Sequence, residues 1–392
     1  MTKKIAIISH AFPPSWSGQA VILGRILKYL DPSSYHLISR QDYRENANDF
    51  IPRLAGAYHY LPPEPQIKQY YFVRQMMKAN FLLAALVRGR RIARLIRRNG
   101  CQVVMACSGD IVDLPAGWLA ARLAGIPFIP YLFDDYTYQW PVGVHRDMAV
   151  FFERFIYRRP AGVIVPNEFL GREITRRHGV NCSIVRNCCD DPGLPAKELP
   201  SLTDKQQIDI VFTGAIYHMN FGSFRMLAQA VRRLQQPGVT LHLYTATDRA
   251  ILEEQGILGP QVEHHEHVPS DQVNRVQQEA DLLFVPFAFD TPVWELAKTS
   301  APGKLGDYLA SGTPILGMAP SDSFTTWYLR EHDAGLVVDR DDAAFLDATL
   351  RQALFDDELR RRQSANARVR AIGDFGPEKA AQDFQAVVEA AA

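Results

Sequence analysis

Two apolar runs enclose a short helical segment in the second half of the chain. Residues 280–290, ADLLFVPFAFD, are almost continuously apolar, which is typical of a strand buried on both faces of a sheet. In residues 300–316, SAPGKLGDYLASGTPIL, Pro302 suits a first helical turn, and Gly312 followed by Pro314 ends the helix. The segment therefore predicts two parallel strands joined by a helix, the βαβ unit.

The same alternation of apolar runs and helical segments continues through both halves of the chain. We predict strands at residues 5–9, 103–106, 128–132, 163–165, 210–213, 241–244, 282–285 and 336–338. Strands that alternate with helices favour parallel sheets. A length of 392 residues suits two domains of roughly 100–200 residues each. The predicted fold class is therefore α/β, with two doubly wound Rossmann-like domains.

A polar, proline-containing segment separates the two halves. Residues 191–207 replace the periodic apolar pattern with Pro, Gly and charged residues, so we expect a linker there. The expected domains are residues 1–190 and 208–376. Residues 377–392 predict a further helix.

The helix in residues 300–316 has polar residues that fit an anionic ligand. Helical spacing places Lys304, Asp307 and Tyr308 on one side, with Leu305 and Leu309 toward the sheet. A cation in the first turn has the wrong sign for the helix dipole, which indicates an anion held there by Lys304 and backbone N–H groups. An ionised Asp307 can accept two sugar hydroxyl protons. The pattern fits a phosphate beside a ribose, and a solvated Lys–Asp pair is the alternative.

Residues 307–315, DYLASGTPI, resemble the nucleotide-sugar site of retaining glycosyltransferases of the GT-B fold, family 4 in particular. Members carry two glutamates eight residues apart. Asp307 takes the place of the second and Thr299 that of the first, so Asp290 and Glu295 are the alternatives for the missing acid. The Pro-x-Lys that ends at Lys304 resembles a branch of cell-surface polysaccharide transferases.

Further segments match the family in the same order. Residues 4–20, KIAIISHAFPPSWSGQA, resemble the strand and loop whose N–H groups meet the donor phosphate, with Ser17 and Gly18 in place of a glycine pair. Residues 127–140, PFIPYLFDDYTYQW, resemble the segment that carries His-Asp, with Phe133 and Asp134 in those places.

The second half also matches, with two substitutions. After Gly214, the arginine and lysine that contact the diphosphate in many members are replaced by Ala215 and Asn220. This leaves Lys304 as the leading cation. Val268 falls where backbone groups meet the nucleotide base in the family.

The resemblance implies a retaining glycosyltransferase that moves a sugar from a nucleoside diphosphate donor to a lipid-linked or saccharide acceptor, in cell-surface polysaccharide or glycoconjugate synthesis. Its two Rossmann-like domains would face each other across a cleft, with the acceptor on the first domain and the donor on the second, and the last helix would cross back to the first domain. Lys304 and Asp134 are the candidate catalytic residues, and no metal or other cofactor is expected. The candidate donor contacts are Ser17, Gly18, Gly214, Val268, Lys304, Leu305 and Asp307, and the candidate sugar contacts are Asp290, Glu295 and Thr299.

Two other functions remain open. A catalytically silent subunit that binds a nucleotide sugar is favoured by the substitutions at Phe133, Ala215, Asn220 and Thr299. A nucleotide-sugar epimerase shares the fold.

The two halves of the chain carry opposite net charges. Residues 1–190 contain 25 Lys+Arg and 14 Asp+Glu, and residues 191–392 contain 18 and 29.

No acid occurs between Glu64 and Asp110. A helix over residues 88–98 would gather five arginines on one face, beside the apolar run of residues 79–87: Arg90, Arg91, Arg94, Arg97 and Arg98. This arginine face predicts docking on an anionic membrane surface, and an ordinary solvated helix face is the alternative. No motif indicates a nucleic-acid partner.

Several absences favour a cytoplasmic location, peripheral on the inner face of the plasma membrane if the arginine face binds lipid. The chain enters its first strand without a signal-like apolar stretch, and no apolar run is long enough to span a bilayer. Its five cysteines show no metal-ligand spacing, and an odd number argues against a disulfide framework.

Residues 262–268, VEHHEHV, contain three histidines and two glutamates. Alternation along a strand sends His264 and Glu266 to one side and Glu263, His265 and His267 to the other. No closed metal site is therefore expected within this segment.

Overall fold

The structure is a computed structural model that describes residues 3–41, 51–67, 73–191, 193–236, 238–266, 268–291 and 293–391. The chain divides into two compact units, Met1–Arg186 with Pro377–Ala392 and Asn187–Gly376. Each unit contains a parallel sheet with flanking helices, which confirms the predicted α/β fold class.

The sheet of the first unit is built from short, largely buried strands. They are β1 (Ile5–Ile8), β2 (Tyr35–Ser39), β3 (Ala57–Tyr60), β4 (Val103–Cys107), β5 (Phe128–Tyr131), β6 (Ile164–Val165) and β7 (Ser183–Ile184). Their order in the sheet is β3-β2-β1-β4-β5-β6-β7. β1 and β4 pair in parallel with Ile8 opposite Ala106. Every residue of these two strands is buried, as expected at the centre of a parallel sheet.

The helices of the first unit alternate with its strands. They are α1 (Gly18–Leu27), α2 (Val73–Asn99), α3 (Asp113–Ala124), α4 (Val144–Ile156) and α5 (Glu168–His178). Ile92 and Ile96 of α2 lie in one buried apolar cluster with Leu114 and Ala120 of α3. This packing turns the opposite side of α2 outward.

The second unit repeats the architecture. Its strands are β8 (Ile208–Thr213), β9 (Val239–Tyr244), β10 (Val262–His265), β11 (Leu282–Pro286), β12 (Ile315–Met318) and β13 (Leu336–Val338), in the sheet order β10-β9-β8-β11-β12-β13. Its helices are α6 (Phe221–Arg233), α7 (Arg249–Glu254), α8 (Ser270–Glu279), α9 (Trp294–Thr299), α10 (Leu305–Ser311), α11 (Phe324–Glu331), α12 (Ala343–Phe355) and α13 (Asp357–Asp374).

The βαβ unit predicted first is present. β11 and β12 pair in parallel with Leu283 opposite Ile315, and α10 lies between them in the chain. α10 ends at Gly312 with a φ of 70°, a left-handed conformation that favours glycine. Helix α9, which precedes α10, was not predicted from the sequence.

The predicted linker, residues 191–207, lies within the second unit and packs on it. Lys197 donates hydrogen bonds to the Ala280 carbonyl and, at 3.0 Å, to Thr313 Oγ1. Lys205 forms an ion pair of 2.6 Å with Asp281, whose side chain is buried. Residues 191–207 are thus held to the second unit, which begins at Asn187, rather than forming a free linker.

The last helix, α14 (Pro377–Ala390), belongs to the first unit. Its Phe384 ring lies 6.3 Å from the Tyr131 ring of β5. Lys3 Nζ donates a 2.7 Å hydrogen bond to the carbonyl of Ala391.

Candidate functional site

Lys304 lies beside the carboxyl end of β8 in the second unit. It is the residue before α10, and its Nζ is 3.7 Å from the centre of the Phe212 ring, a cation–π contact. A Cβ added to Gly214 would lie 2.9 Å from the same Nζ, and Gly214 has a φ of 128°. Glycine at 214 therefore leaves the space that the ammonium occupies.

The ammonium of Lys304 has no counter-charge within the described part of the chain. None of the described carboxylates forms an ion pair with it. Desolvation lowers the pKa of Lys304 to about 7. A desolvated, unpaired charge is unfavourable, and an anion bound beside it would remove the penalty. These properties make Lys304 the centre of a candidate anion site.

Buried polar contacts hold α10 against β8. The Thr213 N–H donates to Tyr308 Oη at 3.1 Å, and Gln277 Nε2 of α8 donates to Thr213 Oγ1 at 3.0 Å. Burial raises the pKa of Tyr308 to about 12, so its hydroxyl stays protonated. Tyr308 is fully buried, and its hydroxyl lies at Thr213, beside the same end of β8 as Lys304. Leu305 is buried, as the helical spacing predicted.

Asp307 is partly buried on the first turn of α10. Its Oδ1 accepts the backbone N–H of Asp190 at 2.9 Å. One carboxylate oxygen thus holds the start of the second unit to α10. The sugar contact expected of Asp307 stays a prediction.

The three candidates for the missing acid have different surroundings. Asp290 follows β11, is exposed and forms an ion pair of 3.1 Å with Arg225. Glu295 is exposed on the first turn of α9. Thr299 is buried and donates a 3.2 Å hydrogen bond to the Glu295 carbonyl. Asp290 and Glu295 therefore have accessible carboxylates, whereas Thr299 is part of the packing of α9.

Two further predicted positions, Val268 and Asn220, lie in the second unit. Val268 lies between β10 and α8 and is partly buried. Asn220, which stands where the family has a lysine, is buried and accepts the Tyr217 N–H at 2.8 Å through Oδ1. It therefore closes the turn before α6 and brings no cation to the site.

The carboxyl edge of the first unit has its own polar group. Gly18 is the first residue of α1, with Ser17 before it, and a Cβ at Gly18 would meet nothing within 4 Å. Gln19 Nε2 donates to Ser9 Oγ at 2.5 Å and lies 3.3 Å from His10 Nδ1. Burial lowers the pKa of His10. His10 was not predicted from the sequence, although its place two residues after β1 was the available signal.

Asp134 and Asp135 follow β5 and differ in burial. Asp134 is partly exposed, whereas Asp135 is fully buried and forms an ion pair of 2.5 Å with Arg177. Burial raises the pKa of Asp135. Phe133 stacks on Tyr131 with ring centres 4.4 Å apart. Asp135 therefore has a structural role. The catalytic role expected of Asp134 stays a prediction.

The arginine face lies on the outward side of α2. Arg90, Arg94, Arg97 and Arg98 are exposed, and Arg91 is partly buried. Arg91 donates to the Pro62 carbonyl at 2.6 Å, and Arg97 donates to the Leu123 carbonyl. Arg90 and Arg94 have no ion-pair partner among the described residues. One and two turns before Arg90, the same row of the helix exposes Leu86 and Leu82, by 38% and 45%.

Arg88, at the start of the predicted basic helix, is not part of this surface. Its side chain is 2% exposed and pairs with Glu64 at 2.8 Å, Asp110 at 2.7 Å and Asp113 at 2.5 Å. Burial raises the pKa of Asp113 to about 7. The acids that flank the basic interval in sequence thus neutralise its buried arginine. Among the described helices, none is both long and apolar enough to cross a membrane.

Comparisons with known proteins agree with this architecture. Residues 17–187 match the family model of the glycosyl transferase 4-like domain. A search of curated protein sequences gave no match. Among solved structures, the chain is similar to a glycosyltransferase from Rickettsia africae, with 12% identity, a TM-score of 0.67 and coverage of 99% of this chain and 98% of that chain.

Two other solved structures have the same fold. One is sucrose-phosphate synthase from Thermosynechococcus elongatus, with 15% identity, a TM-score of 0.70 and coverage of 99% of this chain and 98% of that chain. The other is Anabaena HepE in complex with UDP-glucose, with 14% identity, a TM-score of 0.67 and coverage of 98% of both chains. Residues 17–187 therefore match the glycosyl transferase 4-like domain, and the two units together have the GT-B fold.

Proposed function

We propose that the protein transfers a sugar, with retention, from a nucleoside diphosphate to a lipid-linked or saccharide acceptor in cell-surface polysaccharide or glycoconjugate synthesis. The observation that carries the proposal is the desolvated ammonium of Lys304 beside Gly214, which has no carboxylate partner among the described residues. A diphosphate supplies the missing negative charge. UDP is the proposed leaving group, supported by the complex of the structurally similar HepE with UDP-glucose.

The chemical role of Lys304 follows from where charge develops. Cleavage of the bond between sugar and phosphate leaves negative charge on the diphosphate, and a positioned cation stabilises that charge most in a site with little water. In a retaining reaction the acceptor hydroxyl attacks from the side that the diphosphate leaves, and the leaving phosphate oxygen takes the hydroxyl proton. Lys304 and backbone N–H groups then provide the stabilisation, so this proposal requires no metal for donor binding.

The other predicted contacts are proposed with narrower roles. Asp307 would accept ribose hydroxyls through its carboxylate, and Val268 would meet the base through its backbone. Asp290 and Glu295, both exposed, are the proposed acids for the sugar hydroxyls. On the first unit, Asp134 is the proposed contact for a sugar hydroxyl of the substrates.

A screen of nucleoside diphosphate sugars tests the function. Each donor is first ranked by its effect on the melting temperature, and donor consumption is then followed by mass spectrometry with and without saccharide or lipid-linked acceptors. A glycosylated acceptor supports the proposal. Conversion of the donor into an isomer would instead establish the epimerase, and binding without any turnover would establish the silent subunit.

UDP and one UDP-sugar should raise the melting temperature without added magnesium. A ligand at a hundred times its dissociation constant stabilises the folded state by about 2.7 kcal/mol, which corresponds to a shift of a few degrees for a protein of this size. The measurement is thermal denaturation with UDP alone and with UDP plus magnesium. A shift that appears only with magnesium contradicts the metal-free donor site.

The exposed row of α2 supports a membrane-bound acceptor. Leu82 and Leu86 present apolar surface, and Arg90 and Arg94 continue the row with cations that have no ion-pair partner among the described residues. An amphipathic surface of this kind binds anionic lipid through both parts. We therefore propose that the protein docks peripherally on the cytoplasmic side of an anionic membrane.

The double variant Arg90→Gln/Arg94→Gln should weaken binding to vesicles that contain phosphatidylglycerol. Each arginine near such a surface contributes about 1 kcal/mol, so the loss should be roughly tenfold or more, and the dependence on salt should become shallower. Co-sedimentation measures both. The matched control is Arg351→Gln/Arg361→Gln, which removes two exposed arginines from helices of the second unit. If the two double variants bind the vesicles equally well, the arginine face is an ordinary solvated surface.

A further inference from the structure

Two histidines and a glutamate meet on neighbouring strands of the second unit. His242 on β9 and His265 on β10 approach with Nδ1 and Nε2 2.9 Å apart. Glu263 Oε2 lies 3.5 Å from His242 Nδ1 and 3.6 Å from His265 Nε2. The three atoms thus form a small triangle, although His242 lies 21 residues before Glu263 in the chain.

The size of this triangle matches a zinc ion. Tetrahedral zinc with ligands at about 2.0–2.1 Å holds neighbouring ligand atoms about 3.3 Å apart, and imidazole nitrogen with carboxylate oxygen is a common ligand set. The three separations in the structure, from 2.9 to 3.6 Å, bracket that value. The side chain of Glu263 is 59% exposed, which leaves an entry path and a fourth position for water.

A second carboxylate orients the first histidine. Asp209 on β8 lies 3.0 Å from His242 Nε2 through its Oδ1. When Nε2–H donates to this carboxylate, Nδ1 keeps its lone pair toward Glu263 and His265, which is the tautomer that a metal requires. The Tyr244 ring stacks on the His265 ring with centres 4.4 Å apart and restricts its orientation. The cluster therefore has both ligands and the groups that position them.

The first unit contains a matching pair without the acids. His36 Nδ1 on β2 lies 3.0 Å from His59 Nε2 on β3. In the register of the strands, Ala57 is opposite His36, as Glu263 is opposite His242. On the neighbouring strands, Ala6 is opposite His36 and Val211 is opposite His242. Lys4 and Asp209 each lie two residues before these partners, so they occupy equivalent places. The histidine pair thus recurs in the first unit with Ala57 and Lys4 in place of the two acids, and the acids distinguish the second unit.

We propose that His242, Glu263 and His265 bind one zinc ion, with Asp209 as a positioning residue. The ion would tie β10, the edge strand of the sheet, to β9. The sequence analysis expected no metal because it considered only residues 262–268, while the third ligand comes from the neighbouring strand. His267 lies outside the described residues and has no part in the proposal.

The test is a zinc titration of the full chain after treatment with a chelator and desalting, with a fluorescent zinc indicator as competitor. We expect one zinc ion per chain at micromolar concentrations and a rise of a few degrees in the melting temperature. His265→Gln and Glu263→Gln should lose this binding, and Asp209→Asn should weaken it about 10- to 100-fold. Because Glu263 is exposed, Glu263→Gln remains decisive if His265→Gln fails to fold.

The matched control is His59→Gln, which alters the histidine pair of the first unit and should leave the stoichiometry unchanged. Failure of the wild-type chain to bind zinc overturns the proposal, and so does zinc binding that survives Glu263→Gln and His265→Gln. Magnesium, which prefers oxygen ligands, should not compete. The shift of melting temperature by UDP should be the same in Glu263→Gln, so the zinc site and the donor site can fail independently.

Discussion

Lys304→Met should reduce the turnover number about a hundred- to a thousandfold while the protein stays folded. Removing one group that stabilises a developing negative charge typically has an effect of this size. Here the effect should be near the upper end, because Ala215 and Asn220 replace the family's other two cations and Asn220 is buried in a turn. The folded state should not suffer, since the variant removes a desolvated charge that has no ion-pair partner among the described residues.

The control for Lys304→Met is Lys298→Met, on the neighbouring helix α9. Lys298 has an acid partner, Asp322, at 2.5 Å. Turnover is measured by mass spectrometry with the donor that the screen selects, and circular dichroism monitors folding. If Lys304→Met keeps more than about a tenth of the wild-type turnover, another cation stabilises the diphosphate and the site assignment is wrong.

Gly214→Ala should lower turnover about a hundredfold by a different route. The added Cβ would lie 2.9 Å from Lys304 Nζ, so the flexible lysine must move away from the carboxyl end of β8. A displacement of about 1 Å at a reacting centre is enough for a loss of this size. The φ of 128° adds a backbone penalty of about 1–3 kcal/mol, which should lower the melting temperature by several degrees.

Gly303→Ala is the matched control for Gly214→Ala. Gly303 directly precedes Lys304 in the chain, yet a Cβ there meets nothing within 4 Å. This variant should keep both its turnover and its melting temperature. Equal turnover in the two alanine variants would mean that the position of the ammonium beside Gly214 has no catalytic importance.

The central strands were predictable from the sequence because burial on both faces requires apolar residues within the strand itself. β1, β4, β8 and β11 lie inside their sheets and are almost wholly apolar. Two strands, β2 and β3, were not predicted from the sequence. β3 is partly exposed and shows no clear apolar period. They form strands because they pair with neighbouring strands, and a local sequence pattern does not show this pairing.

In the candidate site, too, properties set by adjacent residues were predictable and those set by distant residues were not. Lys304 was predictable because its charge opposes the dipole of α10, a property of adjacent residues. Its desolvation was not, since it depends on Phe212 and Gly214 about ninety residues earlier. The burial of Arg88 was not predictable for the same reason. Its acid partners lie 22 to 25 residues away in the chain.

The cluster of His242, Glu263 and His265 is the plainest case of this limit. Within residues 262–268 alone, the candidate ligands lie on both sides of the strand. The parallel register places His242 opposite Glu263, which brings a histidine of the neighbouring strand to the same side. Cross-strand contacts of this kind become visible only when the sheet order is known.

The central claim is that the diphosphate binds to a lysine that has no counter-charge among the described residues, and proton uptake tests this claim most directly. With a pKa of about 7, Lys304 is roughly nine-tenths neutral at pH 8 in the free protein. A bound diphosphate favours the charged form and raises this pKa, so binding must draw a proton from the solution. By the same argument, the affinity for UDP should fall up to about tenfold per pH unit above pH 7.

Calorimetric titration with UDP at pH 8, in buffers of different ionisation enthalpy, counts the protons taken up. The wild-type protein should take up close to one proton per UDP, and Lys304→Met, which should bind more weakly, should take up none. UDP binding to the wild-type protein without proton uptake, or equal uptake by the variant, would contradict the claim that Lys304 holds the diphosphate.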